Sequence, residues 1–252
     1  MLTEKRHEMI IAALTQHHFL SLQHLMEYTG CSASTIRRDL TKLQNDGVLI
    51  RVHGGAKLSQ VQHELALDAK RTHHIDEKIN IAKNAAQLIK DDDCIYIDAG
   101  STTLEMIAHV HAQNVTVVTN GLPHVDALIK KGLQPIIVGG TIKTTTLAVV
   151  GPRAADSLKH YSFNKVFLGI NGIDCDTGFT TPDEQEALMK ENAMKQGLQT
   201  YILADASKFH QSYFARIHTE DDPIIIITSQ KAMDTIDLSR FKAKYEFLGG
   251  AE

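Results

Sequence analysis

The stretch that most limits how this chain can fold covers residues 31–46, CSASTIRRDLTKLQND. Ser32 is a favourable helix N-cap, because its hydroxyl can accept from an N–H group that the first turn leaves without a partner. Beyond it, Ile36, Leu40 and Leu43 recur at i, i+4 and i+7 and form one apolar stripe. Thr35, Arg37, Arg38 and Lys42 fall largely off that stripe. A short capped helix with a buried seam and a basic outer surface has the form of a recognition helix. In a major groove its Arg side chains can reach guanine edges or phosphates, and its Thr can bond phosphate or pack on a thymine methyl. The same residues also describe an ordinary amphipathic helix with solvated Arg and Lys. The flanking segments decide between the two.

Residues 3–16 read as a helix capped by Thr3, with Met9, Ile10, Ala13 and Leu14 along one seam and Glu4 and Glu8 suiting a helix start. A short break over residues 16–20 leads to SLQHLMEYTG, where Ser21 caps, Leu22, Leu25 and Met26 face inward, and Gly30 ends the helix. Two short helices, a turn containing Gly and a third, basic helix make a helix-turn-helix. From Gly47 the segment GVLIRVHGGA is apolar and hairpin-like, ending at Gly54 and Gly55. Arg51 and His53 alternate with Val52 and so point to one side, as in a β-wing laid against a phosphate backbone or minor groove. The DNA contacts expected are Ser32, Ser34, Thr35, Arg37, Arg38, Lys42, Arg51 and His53.

A net charge of −4 does not advertise nucleic acid, but its distribution is informative. Residues 1–58 hold seven Lys or Arg against five Asp or Glu, a net +2, leaving a net −6 on the remainder. A slightly basic module on an acidic body is compatible with DNA binding through that module alone. Cys31, Cys94 and Cys175 are odd in number, widely spaced and without a CxxC pair. That usage fits a reducing cytoplasm and argues against a zinc site or a disulfide framework. The fourteen His residues form no HExxH pattern, so pairs such as His17-His18 and His73-His74 read as surface or packing residues. No apolar run approaches membrane-spanning length, and the N-terminus lacks a signal-peptide core. The expectation is a cytoplasmic protein with no membrane partner and no metal.

Residues 58–74 are polar, mixed in sign and weakly periodic, and read as a linker between a small domain, 1–57, and a larger one, 75–252. Glu64 and Arg71 could dock this linker onto either domain. From Ile75 onward helical segments alternate with short apolar runs: CIYID, VTVVT, PIIVGG, KVFLGI, TYILA and PIIIIT. This alternation predicts an α/β fold with a mostly parallel sheet and helices on its faces. In such sheets ligands bind beyond the carboxyl ends of the strands. After CIYI come Asp98, Ala99, Gly100, Ser101, Thr102 and Thr103, leading into a helix. A Gly for a tight turn, three hydroxyls and a helix start suit a phosphate, and the absence of a following Gly-Lys-Ser/Thr excludes a Walker loop. A Ser/Thr-capped helix with no ligand would look the same. Further strand ends carry Asn120 and Gly121, then Gly139 and Gly140 with Lys143, then Asn171 and Gly172, then Asp205, Ser207 and Lys208. Glu186 and Lys190, at i and i+4 on a predicted helix, are either an exposed ion pair or ligand contacts. The pocket expected from Asp98, Gly100, Ser101, Thr102, Thr103, Asn120, Gly140, Lys143, Gly172, Glu186, Lys190, Asp205 and Lys208 suits a small phosphorylated, hydroxyl-rich molecule.

Over nearly its whole length the chain resembles the DeoR family of bacterial transcriptional regulators. TIRRDL, Gly47 and RVHGGA are similar to the family's helix-turn-helix signature. D-x-G-S-T-T at 98–103, TNG at 119–121, GG at 139–140 and D-x-S-K at 205–208 are similar to its effector domain, which is related to sugar-phosphate isomerases such as ribose-5-phosphate isomerase. The resemblance implies a repressor that acts as a homo-oligomer, a dimer or tetramer, on double-stranded operator DNA, with a sugar phosphate as inducer. DCIYIDAGSTTLEMI, VTVVTNGL, LGINGI and GFTTPDEQEALMK look like the fructose-operon repressors of Gram-positive bacteria within that family, which implies fructose 1-phosphate. One departure stands out: many members carry Arg after the double Gly, whereas here Lys143 is the cation of that segment. Lysine supplies a point charge without the bidentate fork. Tagatose 6-phosphate and glycerol 3-phosphate are the alternative effectors. The alternative class is a sugar-phosphate isomerase with an appended helical domain, in which Asp98, Asp174, Asp205 or Glu186 would supply a base. The N-terminal module, which an isomerase does not need, argues against an enzyme, and no catalytic residue is assigned.

Overall fold

The computed structural model describes residues 3–17, 19–45, 48–52, 54–58, 66–219 and 223–249, and divides into two compact units, Met1–Ala69 and Lys70–Glu252. In the first, α1 (Thr3–His17) is followed by strand β1 (Phe19–Ser21), α2 (Leu22–Thr29), α3 (Ala33–Asn45), β2 (Leu49–Val52) and β3 (Gly55–Leu58). Local signals set the helix ends. The Ser21 hydroxyl accepts the His24 N–H at 3.2 Å, and Gly30 closes α2 in the left-handed region at φ 68°. Ile10 and Leu14 of α1, Leu25 of α2, and Ile36, Leu40 and Leu43 of α3 meet in one buried core, completed by Leu49 and Ala56.

The segment expected as a break over 16–20 contains β1. It pairs antiparallel with β3, giving a three-stranded sheet in the order β1-β3-β2. Gly55 makes that pairing possible, since a Cβ there would lie 2.2 Å from the Leu20 carbonyl oxygen. The hairpin of β2 and β3 is the expected wing, and its second strand runs on to Leu58. Gly47, His53, His18 and Glu64 lie outside the described residues.

Helix α4 (Leu67–Thr72), inside the segment expected as a linker, spans the boundary between the units, and α5 (Ile75–Gln87) follows it in the second. That unit continues with β4 (Cys94–Ile97), α6 (Ser101–Ile107), β5 (Thr116–Thr119), α7 (Leu122–Lys131), β6 (Gln134–Ile137), β7 (Thr141–Lys143), β8 (Ala148–Val150) and α8 (Pro152–Leu158). Next are β9 (Lys165–Gly169), β10 (Gly172–Asp174), β11 (Gly178–Thr181), α9 (Glu184–Lys195), β12 (Thr200–Ala204) and β13 (Ala215–Ile217). The described chain ends with β14 (Ile224–Thr228), α10 (Gln230–Thr235), α11 (Ser239–Lys242) and β15 (Glu246–Gly249). Seven strands form the main sheet in the order β15-β14-β12-β9-β4-β5-β6, and every pairing in it is parallel. The α/β expectation with a mostly parallel sheet holds. Among the described strands of this unit, antiparallel pairing forms the β7–β8 hairpin and a small β10-β11-β13 sheet, and an isolated antiparallel bridge joins Gly121 to Ala148.

Strands of the main sheet are apolar without alternation because both faces are covered. Ile95 and Ile97 of β4 pack with α5, α6 and α7 through Ile81, Ile107 and Leu128, whereas Tyr96 faces the opposite core with Ala155 of α8 and Met189 of α9. Strand order fixes where a ligand can sit. From β4 the chain builds outward through β5 and β6, then returns to the other flank of β4 with β9, β12, β14 and β15. The reversal opens a crevice beyond the carboxyl ends of β4 and β9, the topological switch point of a doubly wound sheet.

Candidate functional sites

The N-terminal unit presents one face of α3. Ser34, Arg37, Arg38 and Lys42 are exposed and Thr35 is half-buried, while the apolar stripe faces the core. The Ser32 hydroxyl accepts the Thr35 N–H at 3.4 Å and lies 3.0 Å from the Ser34 hydroxyl and 2.9 Å from that of Thr35. Arg51 belongs to the wing but is tied to α3, its Nη1 donating to Thr41 Oγ1 at 3.0 Å and its N–H to Gln44 Oε1 at 3.4 Å. These two bonds join the wing to the exposed side of the helix. His53, expected as the second wing contact, lies outside the described residues.

Sequence reasoning missed how α3 is held. Asp39, between two exposed Arg residues and Leu40, is buried. Its carboxylate takes both Arg6 Nε (2.5 Å) and Arg6 Nη2 (3.0 Å) from α1, and His7 Nε2 lies 3.1 Å away. Burial raises the Asp39 carboxyl, and the hydrogen bonds from Arg6 and His7 more than offset it, leaving its pKa below the ordinary value. An aspartate inside a helical stretch reads as surface in a sequence, and only the packing of α1 against α3 reveals otherwise.

In the second unit the switch point gathers side chains distant in sequence. Asp98, directly after β4, is buried and receives the Gly169 N–H from the end of β9 at 3.2 Å, together with the ammonium of Lys190 from α9. Burial pushes the Asp98 carboxyl up, and the ammonium of Lys190 works against that shift. Asn120, after β5, accepts the Ala99 N–H at 2.7 Å and donates to the Val149 carbonyl at 3.2 Å, linking the ends of β4, β5 and β8. Thr103 donates to the Asp98 carbonyl at 2.6 Å and so is committed to holding the loop. Thr102 is buried, and Gly100 and Ser101 are half-buried, as the chain enters the seven-residue α6. A Cβ at Gly100 would come within 3.0 Å of the Thr103 hydroxyl, the group that bonds back to the Asp98 carbonyl.

Glu186 and Lys190 are not the exposed pair that their spacing allows. Both are buried, and each is bonded to another element. Glu186 accepts from Thr146 at 2.9 Å, Lys143 at 3.1 Å and Thr181 at 3.4 Å, while Lys190 reaches Asp98. Lys143, the expected phosphate cation, also bridges to Asp183 at 3.1 Å. Asp183 is the more exposed of its two carboxylate partners, with 30% of its side chain accessible against 9% for Glu186, so it is the partner an anionic ligand would most easily replace.

The other strand ends differ. Asp205 and Lys208 form a separate group beyond β12. Asp205 Oδ1 holds the Ser207 N–H and hydroxyl, and its Oδ2 lies 4.0 Å from Lys208 Nζ with no hydrogen bond. Gly140 and Gly172 are packing glycines. A Cβ at Gly140 would meet the Val150 carbonyl at 2.7 Å, and one at Gly172 the Gln211 carbonyl at 2.5 Å.

Among the buried ionisable groups that were not singled out from the sequence are His124 and Lys78. His124 of α7 is fully buried, with Nε2 3.2 Å from the Thr103 hydroxyl and Nδ1 without a hydrogen-bond partner. Lys78 of α5 is also buried, its ammonium bonded to the carbonyls of Lys70 and His73. No group of three or more His, Cys, Asp or Glu among the described residues could hold a metal, and no described helix is long and apolar enough to cross a membrane.

Comparison with known proteins agrees with this division. Residues 6–62 match the DeoR-like helix-turn-helix domain, and residues 73–230 match the DeoR C-terminal sensor domain. The chain is 43% identical over 235 residues, 92% of its length and 94% of the relative's, to the uncharacterized HTH-type transcriptional regulator FruR of Bacillus subtilis. It is 31% identical to the HTH-type transcriptional regulator GlpR of Haloferax volcanii over 90% of each chain. It is 34% identical to the lactose phosphotransferase system repressor of Staphylococcus epidermidis over 76% of its own length and 78% of that protein's. Among solved structures, ribose 5-phosphate isomerase A of Methanocaldococcus jannaschii aligns over 54% of each chain at 16% identity and a TM-score of 0.40, too distant to carry function.

Proposed function

Since the chain belongs to the DeoR family of DNA-binding transcriptional regulators, we propose that it represses a sugar-utilisation operon, most specifically one for fructose, under the control of a phosphorylated sugar. Family membership sets aside the isomerase alternative, because members act by binding DNA. Arg37, Arg38, Ser34, Thr35 and Lys42 on α3 supply groove and backbone contacts, and Arg51 extends them onto the wing. Phosphate contacts fix register and base contacts carry sequence information.

The observation that carries the effector reading is the buried polar cluster at the switch point, where Asp98, Gly169 and Lys190 converge from three elements. Replacing a buried ion pair by apolar residues is often neutral or stabilising, so its presence beyond the strand ends favours a binding role. Lys143 gives a phosphate a cation if the ligand displaces the accessible Asp183. The hydroxyl-rich rim suits a sugar. Fructose 1-phosphate is the favoured ligand on the segments shared with fructose-operon repressors, and the FruR and lactose phosphotransferase relatives support a sugar operon more broadly. The effector acts in the cytoplasm on an oligomeric repressor and needs to supply only about 1–3 kcal/mol of coupling to change DNA affinity 5–150-fold.

Calorimetric titration of the full chain against fructose 1-phosphate, fructose 6-phosphate, tagatose 6-phosphate, glycerol 3-phosphate and ribose 5-phosphate tests this reading. Selective binding of fructose 1-phosphate, weakened in Lys143→Ala and unchanged in Arg38→Ala, is the expected result. Arg38→Ala should in turn lose binding to a duplex selected by the wild-type chain from a random pool. Selective binding of another sugar phosphate would move the operon and keep the repressor; no binding by any of them would remove the effector.

A further inference from the structure

We propose that Glu77 and Lys78, in the first turn of α5, are positioning residues that clasp the 205–208 loop to residues 70–74, so that a ligand displacing the loop displaces the segment leading in from the DNA-binding unit. The inference deepens the effector reading and rests on it for the identity of the loop as a ligand site. Two adjacent side chains make the clasp. The Glu77 carboxylate accepts the Ala206 N–H at 3.0 Å and the Ser229 hydroxyl at 2.6 Å, and it pairs with Lys231 at 3.0 Å. It thereby holds the chain just after Asp205 and just after β14. On the other side, His74 Nδ1 lies 3.5 Å from the same carboxylate.

Lys78 bonds the segment before α5. Only 3% exposed, it donates to the carbonyl of His73 at 2.6 Å and to that of Lys70. These carbonyls belong to α4 and to the turn after it. The turn itself is strained: His74 sits at φ 53°, a conformation a non-glycine residue adopts only when its surroundings impose it. Lys78 bonds the residue before that turn, and its own N–H closes on the His74 carbonyl at 3.1 Å.

Electrostatics join the two halves. Burial lowers the Lys78 pKa to about 8, and the field of Asp205 opposes that shift. Asp205 in turn is raised by burial and brought below its ordinary value by Lys208, Ser207 and Lys78. Asp205 Oδ2 has no hydrogen-bond donor and is buried, so the carboxylate can respond to a hydroxyl or cation arriving from a ligand. Any change of its position or charge alters the field that favours the Lys78 ammonium, and with it the bonds to Lys70 and His73.

Amide hydrogen exchange of the full chain tests the clasp without any ligand. Asp205→Asn should speed exchange several-fold in peptides covering 67–76 as well as in the loop, because local opening sets exchange. In a Lys78→Met background the same Asp205→Asn substitution should leave 67–76 unchanged, the non-additivity of a double-mutant cycle. Lys78→Arg, which keeps charge and donors, should restore the response. Should Lys78→Met fail to fold, Glu77→Gln serves as the second background. Asp205→Asn without effect on 67–76, or with the same effect in every background, overturns the proposal. A parallel calorimetric titration with fructose 1-phosphate reports on the effector reading alone, so the two can fail independently.

Discussion

His124 shows how one buried side chain can support the loop after β4. Its ring is fully buried between α7 and the loop after β4, and a Cβ at Gly121 would lie 2.2 Å from its Nδ1, so the TNG motif spares room for the imidazole. Burial holds its pKa at about 3, far below the ordinary 6.5, so the ring stays neutral in the fold at pH 7. The unfolded chain takes up this proton near pH 6.5 and the folded chain does not until about pH 3. Across that interval the unfolded state binds more protons, so stability rises with pH and falls on acidification. From pH 6.5 to 5 the contribution of His124 should fall by about 2 kcal/mol, at about 1.4 kcal/mol per pH unit. Urea unfolding followed by circular dichroism should show that slope in the wild type and a correspondingly shallower one in His124→Asn. Equal slopes in the two proteins would place the histidine in contact with solvent.

At the scale of elements, the setting of α3 depends on the Arg6–Asp39 pair between helices. Asp39→Asn or Arg6→Met leaves one buried partner uncompensated and should destabilise the first unit by about 3–5 kcal/mol, whereas the double variant Arg6→Met with Asp39→Leu should recover most of it. Chemical denaturation reads both, and a double variant no more stable than either single would show that the pair contributes more than charge compensation. Helix α3 was legible because a cap and an i, i+4, i+7 stripe are local signals. So were β4, β9, β12 and β14, whose burial on both faces leaves uninterrupted apolar runs. β1 was not, since three residues carry no period and its partner lies more than thirty positions on, at Gly55–Leu58. The ends of the strands pointed to Asp98, Asn120 and Asp205, but not to how they pair. Asp98 finds Lys190 across 92 positions. Lys78, His124 and Asp39 escaped notice for a common reason: an ionisable residue within a helical pattern is ordinarily solvated, and its burial is decided by elements elsewhere in the chain.

At the scale of the whole molecule, the charge division bears on how regulation reads out. The helix-turn-helix match covers residues 6–62, and residues 1–58 carry a net +2 against −6 on the rest; each phosphate that Arg or Lys there neutralises should add to the salt dependence of affinity. If a sugar phosphate and DNA act through one coupled equilibrium, linkage requires the coupling to be reciprocal. The fold by which saturating fructose 1-phosphate changes affinity for the selected duplex must equal the fold by which saturating duplex changes affinity for fructose 1-phosphate. A value between about 5 and 150 is expected at each end of the cycle. Fluorescence anisotropy of labelled duplex gives the first ratio, and calorimetric titration of the sugar phosphate with and without duplex gives the second, both at one salt concentration. Lys78→Met, if the clasp carries the coupling, should bring both ratios toward one while leaving each ligand's affinity in isolation near that of the wild type. Coupling preserved in that variant would route the signal elsewhere in the chain; a wild-type ratio of one at both ends would mean that this sugar phosphate does not control DNA binding at all.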